Sequence, residues 1–173
     1  MNYSYLPYDP IFPKLFLKEK KYLQKIIGND SVIEHFGSTA VPGLHGKGVI
    51  DIYILVLKQR MKAVSEILQK NGYVYKNYAS EKDRLFHDIN KKYYDKRYHF
   101  HLHLSSIGNK NFADCIRFRD YLMKHPDAVE KYQKIKRIAI KKTKGVTDRK
   151  EIIRIYFETK SVVVKEILKL VVK

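Results

Sequence analysis

The chain has 173 residues, 45% hydrophobic and 31% charged, a balance that fits a globular domain with a sizeable core and argues against disorder. Its 35 Lys and Arg against 18 Asp and Glu give a net charge of +17, which suits an anionic partner, although lysines spread along the whole length also serve solubility. A lone cysteine, Cys115, excludes an intrachain disulfide and reads as a small buried hydrophobe. No apolar run is long or unbroken enough for a membrane span or a signal sequence, so a cytoplasmic protein with no membrane partner is expected.

Apolar residues Leu15, Phe16, Tyr22, Leu23, Ile26 and Ile27 share one face and predict a helix over 14–27, stopped by Gly28-Asn29-Asp30. A strand over 32–36 leads into Gly37-Ser38 and a loop pinned by Pro42, Gly43, Gly46 and Gly48. A second strand, 49–57, is apolar on both faces, as a central strand should be. Met61, Val64, Ile67 and Leu68 predict a helix over 59–71, ended by Asn71-Gly72. Strands over 73–78 and 85–89, joined by a polar turn at 80–83, precede the clearest strand, 98–104. From Asn111 onward the period is helical: 111–124, closed by His125-Pro126, then 127–143 and 149–170. The expected fold class is α+β (α/β), one domain over 1–173 with a mixed β-sheet in 1–108, flanking helices and a helical half in 109–173. The apolar run 162–172 is core or a dimer seam.

Gly37-Ser38 follows one strand and Asp51 opens the next, which sets a glycine-bent, hydroxyl-bearing turn beside a carboxylate. Phosphoryl and nucleotidyl transfer use both parts: N–H and hydroxyl donors for phosphates, and an acid for a metal. Ser38 and Thr39 can supply the hydroxyls, or can cap a purely structural turn. Lys47 is the natural charge partner for a phosphate in this loop. Strand alternation puts His99, His101 and His103 on one face, where residues two apart lie about 6.5–7 Å from each other. Asp51, His101 and His103 are the catalytic candidates, binding one divalent metal or using a histidine as acid–base. The bland alternatives are a strand-end aspartate and a solvated histidine face on an edge strand. Glu34 either joins the metal ligands or pairs with a neighbour. Nitrogen ligands favour Zn, Mn, Ni or Fe over Mg, which prefers oxygen. Arg119 can fork onto a phosphate or a carboxylate, and it diverges from Arg117 on a helix. Tyr156 and Lys160 are four apart and share a helical face. Tyrosines interleaved with lysines over 73–98 could stack on single-stranded RNA, or line a packed strand face equally well.

A longer pattern runs through Tyr8-Asp9-Pro10, Glu34-His35, Gly37-Ser38-Thr39-Ala40-Val41-Pro42-Gly43-Leu44, Lys47 and Ile50-Asp51-Ile52. It continues through Gly72-Tyr73, His101-Leu102-His103, Arg119-Asp120, His125-Pro126, Tyr132, Lys136, Tyr156 and Lys160. This pattern resembles the nucleotidyltransferase superfamily and, within it, the GrpB family (UPF0157-type) of bacterial proteins, several of which are fused to dephospho-coenzyme A kinase. The resemblance implies a nucleotidyltransferase-like sheet and an anionic small-molecule partner, a nucleoside triphosphate or CoA-like nucleotide. It also implies a divalent metal (Mg, Mn or Zn), with nucleotidyl transfer to an acceptor. It places Gly37, Ser38, Thr39, Lys47, Arg119, Lys136, Tyr156 and Lys160 at substrate-binding positions. Where the superfamily has its second strand acid, this chain has Tyr53, and one aspartate alone cannot hold two metals. The alternative is a catalytically degenerate nucleotide, coenzyme or RNA binding module.

Overall fold

The computed structural model describes residues 5–171. Five strands, β1 (Val32–Phe36), β2 (Ile50–Val56), β3 (Val74–Tyr75), β4 (Arg84–Tyr93) and β5 (Lys96–Ser106), form one sheet in the order β1-β2-β5-β4-β3. The β2–β5 pair is parallel and the other pairs are antiparallel, so the sheet is mixed. The helices are α1 (Phe12–Ile27), α2 (Met61–Lys70), α3 (Lys110–Lys124), α4 (Pro126–Lys142) and α5 (Arg149–Val171).

Alternation divides the sheet's duties. Ile50, Ile52 and Ile54 of β2 and Phe100, Leu102 and Leu104 of β5 join Leu15, Leu23, Val64 and Leu68 of α1 and α2 in the main core. Asp51, Tyr53, His101 and His103 therefore point to the opposite face. A second core joins Val41 and Leu44, from the loop after β1, to Leu122, Ala128, Tyr132, Val163 and Ile167 of the last three helices. That packing holds the Gly37–Ser38 turn against the helical half. Along the C-terminal apolar run, Val163 and Ile167 are core while Val162 and Leu170 are exposed, and Val172 lies outside the described residues.

Two elements differ from the sequence expectation. The strand expected over 73–78 is only two residues long, because Ser80 bends the chain back: its Oγ donates to the Lys76 carbonyl at 3.0 Å and accepts the Phe86 N–H at 2.9 Å. The strands expected over 85–89 and 98–104 extend into one long hairpin. Tyr94 and Asp95 close it at φ +47° and +62°, a left-handed pair that glycine or asparagine normally announces. Helix α1 starts two residues early because Pro13 suits a first turn, where its missing N–H leaves nothing unsatisfied.

The hairpin is tied to α1 by a buried carboxylate. Glu19 accepts from Lys91 Nζ at 2.7 Å, from the Tyr93 hydroxyl at 3.1 Å and closely from the Tyr73 hydroxyl. Tyr73 and Tyr93 thus turn inward, while Tyr78 and Tyr94 stay exposed.

Candidate functional site

Parallel register sets Asp51 beside His101 and Tyr53 beside His103, and β1 adds Phe36 opposite Asp51 and Glu34 opposite Tyr53. The His101 ring nitrogen Nδ1 lies 3.2 Å from Asp51 Oδ1. Burial acts to raise the Asp51 carboxyl, but the His101 hydrogen bond and the neighbouring His101, His103 and His35 outweigh it and leave the pKa lowered. Gly37 sits at φ +75°, and a Cβ there would collide with Asp51 Oδ2, so only glycine lets the turn close over the carboxylate. One residue on, Ser38 packs against Gly46, where a Cβ would collide with Ser38 Oγ and stand 3.7 Å from Lys136 Nζ. Thr39 is buried and works on the loop itself: its Oγ1 donates to the Val49 carbonyl at 3.0 Å and accepts from His35 Nε2 at 3.0 Å.

The other expected ligands have partners of their own. Arg119 Nη1 donates to Glu34 Oε2 at 2.8 Å and to the His35 carbonyl at 2.7 Å, while its Nε reaches Asp120 at 2.8 Å, so Arg119 and Glu34 pin α3 to β1. Arg84 Nη1 donates to His103 Nδ1 at 2.8 Å, which leaves the His103 proton on Nε2. Burial among the rings of Tyr53, Phe36 and Phe86 pushes His103 down to about 3, with Asp51 opposing and Arg84 and His101 reinforcing. Tyr53 is fully buried and donates to Asn109 Oδ1 at 3.2 Å. His99 leans towards Asp88 at 3.4 Å. The structure therefore joins Asp51 to His101 but does not converge Glu34, Asp51, His101 and His103 on one point. Among the described residues no three His, Cys, Asp or Glu side chains are grouped to hold a metal ion. The donor set present does not fit a divalent cation.

A cationic cluster stands next to this pair. Lys47 from the loop before β2 lies 4.8 Å from the centre of the Tyr156 ring, and Lys160, one turn along α5, lies 4.7 Å from the same ring. Lys136 of α4 sits 5.2 Å from the Tyr132 ring and donates closely to the His45 carbonyl. Burial and the Lys160 charge push Lys47 down to about 8, against the pull of Asp51. Burial and Lys160 push Lys136 down to about 7. Lys47 and Lys136, each disfavoured by the Lys160 charge, are thus gathered with it on the Tyr156 and Tyr132 rings. Cys115 is pushed up to about 11 by burial, aided by Asp51 and Asp114, which leaves it a poor nucleophile. A hollow of about 530 Å³ opens near the far end of β5, between Arg84 and Asn109.

Sequence reasoning did not single out Arg84 or Gly46. The Arg84 signal was its register beside Ser105, two residues from His103, which only the full hairpin reveals. Gly46 was noted as a loop glycine, and its role needs the position of Ser38.

A mixed sheet with a Gly-Ser turn over a strand aspartate is a nucleotidyltransferase-like fold. The family model for GrpB protein matches residues 4–170, and the chain belongs to that family. It is 33% identical over 167 residues to a UPF0157 protein of Halalkalibacterium halodurans, covering 95% of this chain and 80% of that one. Against the UPF0157 protein YqkA of Bacillus subtilis it is 31% identical over 75% of its length but spans only 37% of the relative. The crystal structure of the conserved protein GrpB from Enterococcus faecalis superposes with a TM-score of 0.76 at 23% identity, covering 98% of this chain and 100% of that one. The Cid1 poly(U) polymerase with Mg 3'-dATP bound superposes at 0.51 and 14% identity, covering 78% of this chain and 45% of that one. Among the described residues no helix is long and apolar enough to cross a membrane.

Proposed function

We propose that the protein binds a nucleoside triphosphate or a CoA-like nucleotide through its phosphates, at the junction of the Gly37–Ser38 turn with α4 and α5. The gathering of Lys47, Lys136 and Lys160 on Tyr156 and Tyr132 carries this reading. Lys136 is buried and Lys47 and Lys160 are partly buried, so bringing these cations together is costly, and an anion that docks among them recovers that energy. Gly37 and Ser38 bring backbone N–H groups and a hydroxyl to the phosphates, and the lysines supply charge. Thr39 and Arg119 serve the site indirectly, by fixing the loop and α3. The superposition on a polymerase that binds 3'-dATP supports a nucleotide as the ligand class.

Nucleotidyl transfer to an acceptor is the second reading, favoured by the Asp51–His101 pair beside Gly37. Buried Tyr53 at the second acid position favours binding over transfer. Calorimetric titration with ATP, GTP, CTP, UTP and CoA tests the reading. At least one should bind, and Lys160→Ala should weaken it by about tenfold, the loss of one charge-assisted phosphate contact. Binding by none of the five would reject it.

A further inference from the structure

Metal-dependent nucleotide chemistry places carboxylates on one side of a cation and phosphates on the other, and the cation neutralises both. In this fold the groups that could do so are spoken for by protein partners. Glu34 is held by Arg119 at 2.8 Å, the His103 Nδ1 lone pair faces Arg84 at 2.8 Å, and Asp51 is paired with His101 at 3.2 Å. Tyr53 occupies the neighbouring position on the same face of β2, and its hydroxyl goes to Asn109. Positive charge comes instead from the protein, from three separate elements. Lys47 precedes β2, Lys136 is on α4 and Lys160 is on α5, with Lys47 and Lys160 sharing the Tyr156 ring. Lys47 also feels the Asp51 carboxylate, so the cluster and the strand aspartate act on each other.

We infer that Lys47, Lys136 and Lys160 act as built-in counterions, and that the protein takes the metal-free form of a nucleotide polyphosphate. The inference rests on the nucleotide reading and specifies its ligand. A magnesium complex carries two fewer negative charges and brings a cation towards three ammonium groups, so complexation weakens binding rather than supporting it. Asp51 is then paired with His101 inside the protein rather than with the ligand, and its own charge opposes the phosphates.

Calorimetry with ATP, and with CoA as a pyrophosphate-bearing probe, in excess EDTA and in excess magnesium distinguishes the cases. Wild-type protein should bind at least as tightly in EDTA as in magnesium. Lys160→Ala should weaken binding in both media. Asp51→Asn should bind as tightly as wild type or more tightly in EDTA, with folding checked by circular dichroism. Affinity about tenfold or more higher in magnesium would overturn the inference on wild type alone. Loss of magnesium-supported binding in folded Asp51→Asn would also overturn it, by assigning Asp51 to a metal. Absence of binding in either medium would remove the nucleotide reading as well, so the two failures are told apart.

Discussion

Lys47 and Lys136 are amines whose charge the fold itself disfavours, and that gives nucleotide binding a sign with pH. Burial and Lys160 lower them to about 8 and about 7, and the groups facing them include Lys160 and Tyr156 of α5, Tyr132 of α4, Asp51 of β2, Tyr5 and the His45 carbonyl. A bound phosphate favours the ammonium form, so the bound-state values rise and binding takes up protons above about pH 7. Affinity should hold below that point and fall as pH rises through 7 and 8, approaching tenfold per unit for each lysine that must be recharged. Calorimetry in buffers of different ionisation enthalpy measures the uptake directly, and an affinity flat across this range would reject the assignment. At this scale the sequence was only partly legible. Gly37, Asp51 and His101 announce themselves by residue type and spacing. The partners of Glu34 and His103 did not, since Arg119 and Arg84 come from elements whose approach no local pattern encodes.

At the scale of elements, helical periodicity located α1 to α5 to within a few residues, because each has one stripe of apolar residues facing a core. Strand ends were harder to read, since β3 is stopped by a side-chain hydrogen bond and the β4–β5 turn uses Tyr94-Asp95 in place of a glycine signal. The extra hairpin length is held by an interaction with no sequence signature, the fully buried Glu19 of α1 among Tyr73, Lys91 and Tyr93. Glu19→Gln keeps the shape but leaves Lys91 without its counter-charge. It should destabilise the fold by about 3 kcal/mol, as breaking a buried pair from one side does. Urea unfolding is the measurement, and a change under about 0.5 kcal/mol would mean that the hairpin does not depend on this clamp.

For the whole molecule, the lysine cluster exists only once the loop, α4 and α5 have packed, so residues nearly 90 and over 100 positions from Lys47 complete it. The sheet face covered by α1 and α2 encloses two imidazoles, and this ties global stability to acid. His35, stacked on Phe16, is pushed down to about 4 by burial, with Asp51 opposing and Arg119 reinforcing. His87, with Nε2 2.9 Å from Ser65 Oγ, is pushed down to about 4 by burial, with Asp88 opposing. In the unfolded chain both rings titrate near about 6.5. Between that value and about 4 the unfolded state therefore binds more protons than the folded one. Stability is level above about pH 6.5 and is lost as pH falls towards 4, by up to about 3 kcal/mol per unit for two protons. His103, pushed lower still to about 3 by burial, adds a third proton to the same window. Urea midpoints taken on either side of this window should drop on the acid side with little change in slope, and His87→Asn should flatten the dependence by about a third. A midpoint that stays constant through the window would mean the two rings are not held neutral by the fold.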